Sequence, residues 1–285
     1  MPQHKPKRTR RPAAILLIMV MLAALAALTA GFLLVVKPML IQANVGPPEI
    51  EQDVPEPLRT STTTPTTTTT TTQTKPTIPP LTAVPVILQL PELPTGCEST
   101  AAAMLLQAYG YSYTKEEVAD ALPKQNLETV DGQLYGPDPH EVFIGNPYSS
   151  SGFGVYSEPL ADTMQMLIDE AGGGATVRLL TGGTEQDILD AVDAGQPVCI
   201  WATMYMEPSL VGSSSWYLIR DGVYTDEVYE WLGNEHCLVL VDYDDTTVTV
   251  HDPLSEQAVP QTYSRSLFFT RWEEQGRQAL VLDPE

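Results

Sequence analysis

Cysteine and positive charge are both scarce in this 285-residue chain, which has three Cys and fifteen Lys and Arg against thirty-six Asp and Glu. Three cysteines form at most one bridge and leave one thiol over, so a disulfide-stapled scaffold is excluded. There is no CxxC pair and no His/Cys cluster at metal-ligand spacing, so the common structural zinc modules are excluded too. The basic residues are also badly distributed. Eight precede residue 84, whereas thirty-two of the acids follow it, leaving the C-terminal part with a formal charge of −25. So acidic a surface excludes nucleic acid as a partner. No internal repeat is present, which excludes a solenoid.

What is present divides the chain into four parts. Residues 1–12 form a basic tail carrying Lys5, Lys7, Arg8, Arg10 and Arg11. Residues 13–36 are an uncharged run of Leu, Ala, Ile, Met and Val, long enough to cross a bilayer, which takes about 20 apolar residues. Basic flanks stay cytoplasmic, so the expectation is a single-pass signal anchor with everything after it outside the cell. The alternative is cleavage near Ala30 and secretion. Residues 37–83 are rich in Thr and Pro, with Thr66 to Thr72 unbroken. Lacking core-forming residues, they are expected to be a disordered linker. Residues 84–285 suffice for one packed, monomeric domain.

Within that domain the chemistry centres on Cys97, in Gln89-Leu-Pro-Glu-Leu-Pro-Thr-Gly-Cys-Glu-Ser-Thr-Ala-Ala-Ala-Met-Leu-Leu. Thr95 and Glu98 have the spacing of a capping box, and helical spacing runs to Tyr109 before Gly110. Cys97 then sits in the first turn, where the helix dipole favours a thiolate. A polar, bend-forming approach argues against a merely packed cysteine.

A nucleophilic thiol needs a base and a group to orient it. His4 lies in the tail and His140 in an irregular loop. His236 opens an apolar strand, and Asp252 closes the next one after a turn at Asp244–Thr246. Both then lie at the open end of one hairpin, where a carboxylate can fix the imidazole. His251 points to the opposite face from Asp252 and is read as a structural or surface histidine. Gln89, at the end of the short strand expected over 84–90, could donate to an oxyanion. Cys199 and Cys237 lie in apolar runs and are expected to be buried thiols, the alternative being a Cys199–Cys237 bridge. The acids at 242, 244 and 245 are expected to be a solvated turn, not a calcium site.

Further helices are signalled after Thr114, from Ser157 to Glu170, and from Thr184 to Gly195. Strands follow at 197–203, 236–243, 247–252 and 278–282. Helices first and sheet later is an α+β order. The middle stretch 145–154, rich in Gly and Ser, is either a groove wall or a flexible loop.

These residues together resemble the C39-like cysteine peptidases, a branch of the papain-like superfamily, in the stand-alone extracytoplasmic form of Gram-positive bacteria. Besides the Cys97 motif, the resemblance rests on Phe143-Ile-Gly-Asn-Pro-Tyr, Glu235-His236 and Asp252-Pro253, and it covers about residues 84 to 283. It implies a papain-like α+β fold with Cys97 as nucleophile, His236 as base, Asp252 as orienting group and Gln89 in the oxyanion hole. The expected function is hydrolysis of a peptide or protein substrate at the cell surface, with no cofactor and no metal. The rival readings are an acyl or peptidyl transferase using the same residues, and a non-catalytic surface-binding domain.

Overall fold

The computed structural model describes residues 80–285. The basic tail, the anchor expected at 13–36 and nearly all of the linker expected at 37–83 lie outside the described residues. Among the described residues no helix is long and apolar enough to cross a membrane.

In chain order the elements are helices α1 (Cys97–Ala108) and α2 (Lys115–Ala121), then strands β1 (Lys124–Gln125), β2 (Glu128–Val130), β3 (Gln133–Gly136) and β4 (Phe143–Ile144). Helix α3 (Ser157–Glu170), strand β5 (Ala175–Leu179), helix α4 (Glu185–Asp193) and strand β6 (Val198–Thr203) follow. Next come β7 (Leu210–Arg220), β8 (Val223–Gly233), β9 (Glu235–Tyr243), β10 (Thr247–His251) and β11 (Gln261–Ser264), and the described chain closes with α5 (Arg265–Glu274) and β12 (Ala279–Pro284).

The α+β class is as expected, but the segregation is incomplete, because β5 precedes α4 and α5 lies between two strands of the main sheet. That sheet has six antiparallel strands in the order β11-β10-β9-β6-β12-β5. Helices α1 and α3 cover one face and α4 and α5 the other, so each face has its own apolar core. Two-sided burial explains why β9 reads Cys-Leu-Val-Leu-Val without polar alternation. Cys237, Val239 and Val241 point toward α1, and Leu238 and Leu240 toward α4 and α5. A second sheet, β2-β3-β7-β8, carries a long hairpin, and β1 pairs with β4.

Side-chain caps start two of the five helices among the described residues. Thr114 with Glu117, and Thr184 with Asp187, both make full capping boxes. The box expected at Thr95 and Glu98 does not form. Gly96 is the N-cap of α1 and gives no side-chain bond. The Thr95 hydroxyl donates instead to the carbonyls of Asn146 and Ser149, and Glu98 turns inward. Ten consecutive residues of α1, Cys97 to Leu106, are buried, as befits a central helix. The strand expected over 84–90 is also absent. The segment runs extended without a ladder, and Gln89 donates its backbone N–H to the carbonyl of Pro253 at 2.8 Å.

Candidate active site

The four residues expected at the site converge at one end of β9 and β10. The bond from Gln89 N–H to Pro253 ties the segment before α1 to the residue after Asp252. His236, the second residue of β9, places its Nε2 2.7 Å from Asp252 Oδ1, and both side chains are almost wholly buried. The Asp244–Thr246 turn that aligns them is held by the Asp244 carboxylate, which accepts the backbone N–H groups of Thr246 and Thr247. Those bonds bring that carboxyl down to about 2. The other Asp252 oxygen accepts from Tyr263 Oη at 3.2 Å, and the Leu254 N–H donates to Oδ1 at 2.8 Å. Burial raises the Asp252 carboxyl, but the bond to His236, its charge and these donors outweigh burial and hold it below the usual range. His251 is bonded elsewhere, its Nδ1 lying 3.1 Å from the Pro85 carbonyl oxygen.

Cys97 stands at the first position of α1, as expected, and is 6 % exposed. Its thiol meets the backbone N–H of Cys237, the residue after His236, which favours the thiolate. The Cys97 thiol also donates to Glu98 Oε2 at 3.3 Å. Among the described residues no hydrogen bond joins Cys97 to His236, and Nδ1 is the ring nitrogen that Asp252 leaves free. Burial, followed by the nearby carboxyls of Glu98 and Glu235, pushes the thiol well above its ordinary value. In this closed arrangement these effects outweigh the helix end.

Gln89 is buried, and its Nε2 donates to the carbonyls of Leu93 at 3.2 Å and Pro94 at 3.1 Å. Its donors are therefore turned to the approach loop, and service to an oxyanion requires one of these bonds to exchange. Cys199 and Cys237 are free buried thiols with their sulfurs 3.3 Å apart.

Two residues of the site were not anticipated from the sequence. Glu98 is fully buried and accepts the Val155 N–H at 2.7 Å, and burial raises its carboxyl to about 7. Glu235, the first residue of β9, is buried beside it, and burial together with the Glu98 charge raises its carboxyl well above the usual range. The available signals were the single charged residue of α1 and an acid beside His236 at the head of a strand with an apolar centre.

The 145–154 stretch packs against this centre. A side chain at Gly154 would lie 2.5 Å from Glu98 Oε1 and 2.9 Å from Glu235 Oε2, and one at Gly152 would lie 2.4 Å from Thr95 Oγ1. Asn146, Ser149, Ser151 and Phe153 line an open cavity of ≈ 610 Å³ with Asn126 and Leu127.

The Peptidase_C39 like family matches residues 81–280. An uncharacterized protein of Bacillus subtilis (strain 168), YvpB, is 28% identical over 195 residues, covering 68% of this chain and 72% of its own. A solved structure described as that of a candidate C39-like peptidase from Bacillus anthracis is 31% identical. It superposes with a TM-score of 0.61, covering 71% of this chain and 95% of the other.

Proposed function

Because the chain belongs to the Peptidase_C39 like family, we propose that it is a cysteine peptidase that cleaves peptide bonds through a thioester on Cys97. The observation that carries this reading is the buried His236–Asp252 pair, one peptide unit from a cysteine at a helix start. In the reaction the Cys97 sulfur bonds to the substrate carbonyl carbon while its proton passes to His236 Nδ1. Asp252 holds Nε2 and stabilises the imidazolium. Collapse breaks the C–N bond, and His236 returns the proton to the leaving amine. Water, deprotonated by the same ring, then releases the acid and restores the thiol. The developing oxyanion faces the Cys97 N–H, and Gln89 joins it when its amide turns from Leu93 and Pro94.

The cavity beside residues 145–154 supports a peptide substrate, because backbone and hydroxyl groups there accompany the aromatic ring of Phe153. The same reading includes an extracellular domain held by residues 13–36, on the strength of the basic residues before them.

The test is alkylation of Cys97 by iodoacetamide in the full chain as a function of pH, compared with His236→Ala. Burial works against ionisation of the closed thiol, so the expected result is labelling that His236 accelerates on both sides of the free-thiol value of about 8.5 and that falls in the variant. Slow labelling that rises only near that value, and is indifferent to His236, overturns the reading.

A further inference from the structure

Glu98 and Glu235 are buried acids with no basic partner. Neither forms an ion pair with Lys, Arg or His among the described residues. Glu98 has its two oxygens on Val155 N–H and the Cys97 thiol. Glu235 is 7 % exposed, and its Oε1 is buried without any hydrogen-bond partner. A buried carboxylate is retained when it is paired, hydrogen-bonded or bound to a metal, and the free oxygen of Glu235 has none of these.

The third group is Cys97 itself. Its sulfur and one oxygen from each carboxyl lie within 4.8 Å of one another. They are held by unrelated parts of the chain. The first turn of α1 fixes Cys97 and Glu98, β9 fixes Glu235, and Gly154 leaves the space in which the two carboxyls approach. Thiolate with carboxylate is a mixed soft and hard donor set, which suits a borderline divalent ion such as Zn²⁺. Three protein ligands and one open position is also a common zinc arrangement.

We propose that Cys97, Glu98 and Glu235 form a binding site for a thiophilic divalent cation of the zinc class, which occupies the nucleophile and holds the enzyme inactive. On binding, one metal–sulfur and two metal–oxygen bonds form. The S–H bond breaks, and its proton, with any carried by the carboxyls, leaves to solvent. Inhibition rests on the peptidase reading of Cys97, whereas binding does not.

The experiment titrates Co²⁺ into the chelator-stripped full chain with a phosphine reductant present. One equivalent binds with a thiolate-to-cobalt charge-transfer band, and Zn²⁺ displaces it. The band is lost in Cys97→Ser. In Glu235→Gln, which keeps the side-chain shape and loses no protein bond at Oε1, affinity falls about tenfold or more. Absence of the band overturns the site. So does a band that survives Cys97→Ser but disappears in Cys237→Ala, which would assign the ion to the Cys199–Cys237 thiols. Unchanged affinity in Glu235→Gln also overturns it. Iodoacetamide labelling then separates the two readings. Zn²⁺ slows Cys97 alkylation in the native chain and not in Glu235→Gln when both hold. A band that depends on Cys97 and Glu235, in a chain whose thiol labels no faster than a free one without metal, leaves the site standing and sinks the peptidase.

Discussion

Two clusters at the start of β9 meet opposite electrostatic conditions. In one, His236 and Asp252 are an acid and a base in contact, supported by Tyr263 and the Leu254 N–H. In the other, Glu235 joins Glu98 and Cys97, three acids without a cation. Burial is nearly complete in both places, so it does not explain the difference. A desolvated charge is stable when its partner is preplaced, and otherwise it takes up a proton. The first arrangement thus keeps its carboxylate charged, and the second favours the protonated Cys97 thiol.

The largest effect is expected from removing the group the two sides share. Cys97→Ser should lower turnover of a quenched-fluorescence peptide library by about 10⁴-fold or more while leaving the thermal transition in place. Retained turnover would place the chemistry elsewhere. His236→Ala comes next, with a loss of roughly 10²–10⁴-fold in turnover. It also strands a buried carboxylate, at a cost of about 3 kcal/mol in urea unfolding. A variant that loses activity at full stability would show that Asp252 does not depend on the ring.

The two sides should also respond to pH in opposite senses. Glu98 rises from 4.5 to about 7 on burial, so with chelator present the folded chain holds a proton that the unfolded chain releases. Stability from this group therefore falls as pH rises from 4.5 through about 7, by on the order of 3 kcal/mol, and Glu98→Gln should flatten that slope. An identical slope in the variant would remove Glu98 as its source. Asp252 is depressed despite its burial, so its contribution is present above the unfolded value of 3.8 and is lost as pH falls. The smallest effect is expected for Tyr263→Phe, which deletes one bond to Asp252 and should cost about 1 kcal/mol. No change would mean that the remaining donors suffice.

Much of this architecture was legible because its causes are local. The boxes at Thr114 and Thr184, the strands at 198–203 and 235–243, and the meeting of His236 with Asp252 follow from spacing and a short turn. Thr95 and Glu98 show the limit of that method. They have the same spacing, but their partners are Asn146, Ser149 and Val155, which sequence distance conceals. The β7–β8 hairpin went unread because its strands are mostly exposed or half-exposed and mix Ser, Thr, Asp and Tyr, leaving no apolar alternation to detect. Glu98 and Glu235 were unreadable as a pair, since acids are presumed solvated until the fold closes over them.

The order of assembly follows from where β12 sits. It comes last among the described elements, yet it is an interior strand of the main sheet, bonded to β6 on one side and β5 on the other. A growing chain therefore exposes the Cys97 helix long before the sheet beneath it can close. Until residues 279–284 arrive, β5 has no neighbour and the floor under α1 is incomplete. The face against which Cys97 packs is thus finished by a strand that follows every other described element in the chain.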